Sequence, residues 1–439
     1  MSDGDGASVD SRRLRISYLI QQFPIPTETF AISDVAALIA QGHHVSVYTL
    51  KLPRRGETSL LKKCGVSSQL PVFRPSWAGA RFWPMLIWRR RSQAAWLVRR
   101  TLPHWRSAPL LCLQMLLCIP RLLEIADQVG RDGSEVVHAF WSRHVALVLP
   151  LLKLEGAPCL RTAFVGAYDL VADDFLLDMT TQATEILFSH AKVNRPFLDR
   201  RAGPETSIEI IHRGIPLMGE VADGSRDPFR VMTASALVQS KNVEAVIHSF
   251  AKARASENRL SLWIYGDAPD RPRLERLAQR LGCSDSVRFV GHVPRDALFV
   301  EMQRAAIFVL LSKKPSERLP NVLKEAIWAG CAVISSDSEG IEELLPDPGI
   351  GIVVNPDDPQ AIAAALESLL VESPEDGERR RERARAFIAE HYSSAASMRA
   401  YVRAWLGRIR SLRPSFEGVR PELAEGISGI MPRRDPNRA

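Results

Sequence analysis

Ser316 to Asp337 reads SERLPNVLKEAIWAGCAVISSD and carries two glutamates, Glu317 and Glu325, separated by seven residues. Pro320 stands between them where a helix would begin. Proline is tolerated at the first helical position because its missing N–H would be unpaired there anyway. Gly330 follows, then a β-branched run from Cys331 to Ser336. The stretch therefore predicts loop, helix, turn and strand. At the helix start the amides of Asn321, Val322 and Leu323 would point outward. Free amides and the positive end of the helix dipole together make an anion site. Glu317 lies on the loop before that site and Glu325 one turn inside the helix. A phosphate-bearing ligand with polar groups on both sides would suit this arrangement.

The strand–helix alternation continues on both sides of this stretch. In the C-terminal half, strands are expected at 229–237, 260–266, 286–293, 306–312 and 331–336. Val243, Val246, Ile247 and Phe250 form one helical stripe between them; Leu274, Leu277 and Leu281 form another, closed by Gly282. Asp358-Pro359 reads as the cap of a helix bearing Ile362 and Leu366, and the mixed-charge run 372–385 as a solvated helix. In the N-terminal half, RISYLIQQF (15–23) and HVSVYTL (44–50) are strands. The helix between them has Ile32, Val35 and Ile39 on one face, with Thr27 as its cap. Strand, helix, strand at this length is a βαβ unit and implies a parallel sheet. The pattern resumes at 135–142, 159–166, 185–191 and 207–215. The fold class is α/β, with two Rossmann-like domains facing each other. Open α/β sheets bind ligands at the carboxyl ends of their strands, so the two domains would share one cleft.

Of the 439 residues, 46% are hydrophobic and 24% charged, as in ordinary globular proteins. Six cysteines are scattered without Cys-x-x-Cys spacing and read as buried thiols, in keeping with a reducing cytoplasm. The N-terminus is polar and acidic, unlike a signal peptide. The longest apolar run, Pro109 to Pro120, is shorter than the roughly 18 residues a spanning helix needs. The net charge of +7 is uneven. Residues 58–123 hold eleven Lys or Arg, no Asp or Glu, and five of the nine tryptophans. Such a segment can bind nucleic acid, form a solvated helical face, or lie on an anionic membrane, where tryptophan prefers the interface. The membrane reading is preferred over nucleic acid.

Set in LPNVLKEAxxAG between two strands, the glutamate pair resembles the Glu-x7-Glu signature of retaining, nucleotide-sugar-dependent glycosyltransferases of family 4, in particular the exopolysaccharide and colanic-acid type. The resemblance spans Leu14 to Arg410 and is strongest from Phe229 to Leu370. It implies the GT-B fold, with a C-terminal helix crossing back onto the first domain. The implied plan is a disordered leader (1–13), an acceptor-binding domain (14–217) with the basic segment 58–123 as a membrane-facing insert, and a linker (218–228). A nucleotide-sugar-binding domain (229–388), a crossover helix (389–412) and a disordered tail (413–439) complete it.

Residue by residue, the resemblance places Glu325 on the ribose hydroxyls and Glu317 beside the donor sugar. A nearby anion would favour oxocarbenium character at the anomeric carbon. The diphosphate would rest on Asn321, Val322 and Leu323. Lys241 matches the lysine of the family's diphosphate clamp, but Ala236 stands where the partner arginine is usual. Gly266 matches the turn after the second strand of that domain; His292 and Val293 match the segment that pairs with the base. Glu339 replaces a usual glycine in the loop after the signature strand. In the first domain, Glu28 and Thr29 match a Ser/Thr-Glu-Thr-Phe form of the first turn and would meet acceptor or phosphate. Asp169 keeps the aspartate of a His-x-x-Asp pair, while Gly166 replaces the histidine. His138, His144 and Arg143 are candidates to compensate, His138 being equally readable as a core residue. No metal and no bound cofactor is implied, since helix dipole and lysine can serve the diphosphate. The implied acceptor is a lipid-linked saccharide at the inner face of the cell membrane, for a peripheral cytoplasmic protein that is a monomer or weak dimer. A sugar-nucleotide epimerase on the same scaffold, or a degenerate non-catalytic subunit that binds nucleotide or membrane, stays open.

Overall fold

The computed structural model describes residues 12–25, 29–52, 61, 66, 70–74, 77–172, 174–219 and 226–416. Seven strands form a wholly parallel first sheet: β1 (Arg15–Gln22), β2 (His44–Lys51), β3 (Val72–Phe73), β4 (Val136–Phe140), β5 (Leu160–Phe164), β6 (Ile186–Ser189) and β7 (Ser207–Ile210), in the order β3-β2-β1-β4-β5-β6-β7. Its helices are α1 (Thr29–Ala40), α2 (Trp83–Arg89), α3 (Arg91–Thr101), α4 (Pro109–Arg131), α5 (Val148–Leu154), α6 (Ala167–Ala172), α7 (Phe175–Thr181) and α8 (Arg195–Asp199). Six strands form the second sheet, also parallel: β8 (Asp227–Ala234), β9 (Ser261–Tyr265), β10 (Val287–Gly291), β11 (Ala305–Leu310), β12 (Ala332–Ser336) and β13 (Ile352–Val354), in the order β10-β9-β8-β11-β12-β13. It is covered by α9 (Val243–Ser256), α10 (Arg271–Arg280), α11 (Arg295–Arg304), α12 (Asn321–Ala329) and α13 (Pro359–Leu370), and the chain ends in α14 (Pro374–His391) and α15 (Ser394–Phe416).

Strands covered on both faces read as continuous apolar runs, and β4, VVHAF, is buried at every position. Along β1 the faces separate: Leu19 packs with α4, while Ile16, Tyr18 and Ile20 pack on α1 and α15. The C-terminal helix is therefore part of the first domain's core. Trp405 is fully buried there against Phe188 and Tyr401. Asp358 caps α13, accepting from the amides of Gln360 (2.9 Å) and Ala361 (3.0 Å).

The basic segment is not a simple insert. β3 extends the sheet edge, and α4 is the crossover that returns the chain from β3 to β4. α4 also runs straight through Pro120, giving a 23-residue helix with the length and hydropathy of a membrane span. Proline lacks an N–H and usually ends a helix, which is why the sequence suggests a stop there. Cys112, Met115, Ile119, Leu122, Leu123 and Ala126 bury one side of α4 in the domain core. Leu110, Leu113 and Leu117 lie exposed on its other side. The first 11 residues and residues 417–439, expected as leader and tail, lie outside the described residues, whereas 413–416 continue α15.

The chain crosses between the domains twice, before Leu217 and at Tyr392–Ser394. The two crossings are stitched together. Ile215 N–H donates to Tyr392 O (2.7 Å) and Ser394 N–H donates to Ile215 O (2.9 Å). A Cβ on Gly214 would lie 2.2 Å from the Ser393 carbonyl carbon, so only glycine permits this approach.

Candidate active site

A cavity of about 930 Å³ lies between the domains. Gln21, Lys51, Trp141, Phe164 and His190 line it from at or just beyond the carboxyl ends of β1, β2, β4, β5 and β6. The loop 316–320 and the first turn of α12 face them from the second domain.

Pro320 is the residue before α12, with extended backbone (φ −60°, ψ 128°), and Asn321 is the first helical residue. The amide of Leu323 turns back to the Pro320 carbonyl (3.2 Å). This corrects the expected trio of outward amides: helix geometry leaves those of Asn321 and Val322 at the mouth. Gly330 ends the helix in the left-handed region, φ 90°.

Glu317 lines the cavity, and both its carboxylate oxygens accept from Lys241 Nζ. The structure thus joins two residues 76 positions apart that the sequence placed on separate loops. Glu325 is buried on α12 and accepts two bonds on Oε1 from Arg295, from Nε (2.9 Å) and Nη2 (2.6 Å). That fork pins one carboxylate oxygen; Glu325 itself is not among the residues that line the cavity. Arg295 begins α11, just after His292, which is exposed, and Val293, which is half-buried against the second core.

Gly266 sits where β8, β9 and β10 end together. Its N–H donates to Gly291 O (2.8 Å), its φ is 115°, and a Cβ would lie 1.9 Å from Ser235 O. Ala236 is exposed beside it. Glu339, where the resemblance implies a glycine, accepts from Arg318 Nη2 (2.9 Å).

In the first domain Asp169 is buried and does not line the cavity. Its Oδ1 accepts from Ser142 N–H (3.1 Å) and its Oδ2 from Gly166 N–H (3.0 Å), tying the ends of β4 and β5 together. Burial pushes its pKa up to about 7, against those two amides and Arg143, which pull it down. At Gly166, where the resemblance implies a histidine, the structure leaves no room for a side chain. A Cβ there would lie 2.3 Å from Cζ3 of Trp141, whose ring occupies that space. Trp141 holds a left-handed backbone, φ 68°, and stacks edge-on against Phe164 and Tyr168.

His138 is a correction. It points away from the cleft, bonds Thr162 Oγ1 through Nδ1 (2.9 Å), and sits among Tyr18, Phe188, Tyr401 and Trp405. Burial first, then Arg213, lowers its pKa to about 3, so it is a neutral core residue. Of the three residues offered as replacements for the missing histidine, Arg143 and His144 line the cavity and His138 does not. Glu28 lies outside the described residues; Thr29 opens α1, and its side chain is likewise outside them. Among the described residues no three His, Cys, Asp or Glu side chains gather as metal ligands would.

Sequence reasoning missed the cations on the hinge side of the cavity: Arg213, Arg318 and Lys324. Two of them lie inside the signature, where a charged residue reads as solvent-facing by default. The available signal is Lys324, which falls on the same turn as the apolar Leu323 and Ala326 and is just as buried. Lys324 Nζ donates to Arg213 O (2.8 Å) and Asn321 Oδ1 (3.1 Å). Burial, then Arg213, lowers its pKa to about 7. Unfolded, a lysine titrates near 10.4. Above that pH it is neutral in both states; below about 7 it is charged in both, and the cost of burying the charge is complete. Stability therefore falls as pH drops from about 10 to about 7, with a limiting slope of about 1.4 kcal/mol per pH unit for one proton. Lys324→Met is expected to remove that slope, read as the difference between the two variants' Tm–pH profiles; parallel profiles would show that Lys324 does not titrate in this window.

Residues 223–387 match the family model described as Glycosyl transferases group 1. Over 135 residues the chain is 36% identical to an exopolysaccharide phosphotransferase of Streptomyces coelicolor, a match spanning 30% of this chain and 14% of that protein. Over 381 residues it is 23% identical to a Salmonella typhimurium protein named as a colanic acid biosynthesis glycosyltransferase, WcaL, spanning 80% of this chain and 90% of that one. The Anabaena protein HepE, solved in complex with UDP, superposes with a TM-score of 0.63 at 13% identity, covering 90% of this chain and all of that one. The two facing parallel-sheet domains and the returning C-terminal helix are thus the GT-B fold.

Proposed function

We propose that this chain is a retaining glycosyltransferase that moves a sugar from a nucleotide sugar to a lipid-linked saccharide in surface or exopolysaccharide synthesis. The observation that carries this reading is the placement of Glu317 and the open end of α12 on a cleft between the carboxyl ends of two sheets. The diphosphate would lie over the Asn321 and Val322 amides, with Lys241 neutralising charge. Helix end and lysine can do this without a metal. Glu325, held by Arg295, would accept from the ribose hydroxyls through its second oxygen. Glu317 would face the anomeric carbon.

Two observations support a lipid-linked acceptor. Leu117 lines the cleft and is 70% exposed on the same face of α4 as Leu110 and Leu113. Exposed Met85, Trp88 and Trp105 lie among exposed Arg89, Arg91 and Arg106 in the elements that lead into α4. Aromatic and apolar side chains among arginines suit the surface of an anionic bilayer. A cytoplasmic protein at the inner membrane face is the corresponding location.

The test is thermal unfolding with UDP, GDP, ADP and CMP, on wild type and Glu325→Ala. Ligand at 100 times its dissociation constant adds about 2.7 kcal/mol, a Tm rise of roughly 5–10 °C in domains of this size. One nucleotide is expected to stabilise the wild type, and Glu325→Ala to weaken its binding about 10-fold or more, the value of one charged hydrogen bond. No shift with any nucleotide would overturn the reading. It would favour a non-catalytic subunit, to which Ala236 and the Trp141-filled space at Gly166 already lend support.

A further inference from the structure

On the hinge side of the cleft, four basic side chains converge on one region of the cavity wall. Arg318 is 94% buried; its Nη2 bonds Glu339, but Nε and Nη1 have no partner among the described residues. Arg213 lies over the rings of Phe30 (4.2 Å) and Phe140 (4.4 Å), with Nη2 on Asp34 (2.6 Å) and Nε unpartnered. His190, just beyond the end of β6, leaves Nδ1 without a partner among the described residues. Lys324 is 1% exposed and reaches the same wall. All four line the cavity, and Glu317, already engaged by Lys241, is the sole carboxylate lining it among the described residues.

A buried donor left unpaired costs about 1–3 kcal/mol, more when charged. Three such donors, on Arg318 and Arg213, with the unpartnered Nδ1 of His190 beside them, make a site that an acceptor would complete. Arg213 also repels Lys324, and after burial itself Lys324, Arg213, Arg318 and His212 lower the pKa of His190 to about 3. An anion would satisfy the donors and relieve the repulsion together. The donor diphosphate, as read above, lies over the outer amides of α12 beside Lys241. On that reading the diphosphate does not use the hinge-side cations.

We propose that Arg318, Arg213, His190 and Lys324 form a second oxyanion site in the cleft, for a carboxylate or phosphate carried by one of the two substrates. This rests on the reading of α12 as the donor site. The shared chemistry has two sources: the carboxylate of an acidic donor sugar, or a phosphate of the acceptor.

The experiment measures binding by calorimetry to wild type, Arg318→Gln and Glu339→Gln. The probes are the nucleoside diphosphate that stabilises the protein, its neutral hexose and uronate sugar forms, and geranyl diphosphate against geraniol. If the donor bears the anion, the uronate binds about 10-fold or more tighter than the neutral hexose, as one charged hydrogen bond predicts. If the acceptor bears it, geranyl diphosphate gains by a similar factor over geraniol. In either case Arg318→Gln removes the gain. Glu339→Gln enlarges it by freeing the guanidinium, and the bare nucleoside diphosphate binds all three proteins alike. The proposal is overturned if neither probe pair distinguishes wild type from Arg318→Gln, or if that variant weakens the bare nucleoside diphosphate by the same factor. Should Arg318→Gln fail to fold, Glu339→Gln, altered at an exposed side chain, decides by the presence or absence of the enlarged gain. A protein that binds no nucleotide but does bind geranyl diphosphate in an Arg318-dependent way would refute the donor reading and leave the oxyanion site standing.

Discussion

Glu317→Ala is expected to lower turnover by about 10²- to 10³-fold, the effect of removing one preorganised electrostatic group, while nucleotide affinity changes by no more than about threefold. The asymmetry follows from where the carboxylate stands. It lines the cleft on the loop before α12, away from the Glu325–Arg295 fork assigned to the ribose. It is also the partner of Lys241 Nζ through both oxygens. In a reaction that develops positive charge at an anomeric carbon, its removal acts twice. The anion is lost, and the ammonium of Lys241 is left uncompensated nearby. Glu317→Gln keeps the shape without the charge and should lie close to Glu317→Ala. Steady-state kinetics on the donor that stabilises the protein decide the matter. Turnover within threefold of wild type would remove Glu317 from the chemistry.

The second large effect is steric. Gly166→His, which would introduce the histidine that the resemblance to family 4 implies there, is expected to destabilise the first domain by about 1–3 kcal/mol through overpacking. The new Cβ would sit 2.3 Å from the Trp141 ring. Trp141→Gly should lower stability as well, through lost contacts with Phe164 and Tyr168, although glycine suits the left-handed backbone at that position. Combined, the two changes should be less harmful than their sum by about 1 kcal/mol or more, a coupling typical of residues in contact. Tm values for the two single variants and the double variant measure it. Strict additivity would mean that Trp141 yields readily and does not exclude the histidine. If the double variant also turns over faster, the tryptophan is what holds this chain's activity down.

How much of this was legible depends on whether a feature is local. The loop, helix and strand around Glu317 and Glu325 are local, and α12 and β12 lie within one residue of their expected limits. β3 and β13, of two and three residues, carry too little pattern to be seen before their neighbours are in place. The Glu317–Lys241 and Glu325–Arg295 pairs depend on strand order, which spacing along the chain does not encode. His138 misled because a histidine in a strand looks the same whether it faces a cleft or a core. Here the aromatic side chains of α15, more than 260 residues later, settle it. Gly166 could be read as a loss, but not as a consequence of Trp141, because two neighbouring strand ends must meet before the clash exists.

The stitched crossings at Ile215 and Ser393 turn the two-domain body into a mechanism with a single axle. A lone linker would let one half swivel and slide over the other. Two segments joined by a parallel bridge resist both, and the motion this leaves open is rotation about a line running near Gly214. Displacement in such a motion grows with distance from the axle. Arg213 is adjacent to it, and Lys324 grips the Arg213 carbonyl, so these groups travel little. Groups that line the cleft farther from the crossings would travel more. One end of the cleft is thus a fixed seat and the other a jaw, so a substrate would be held first at the axle and enclosed outward from there.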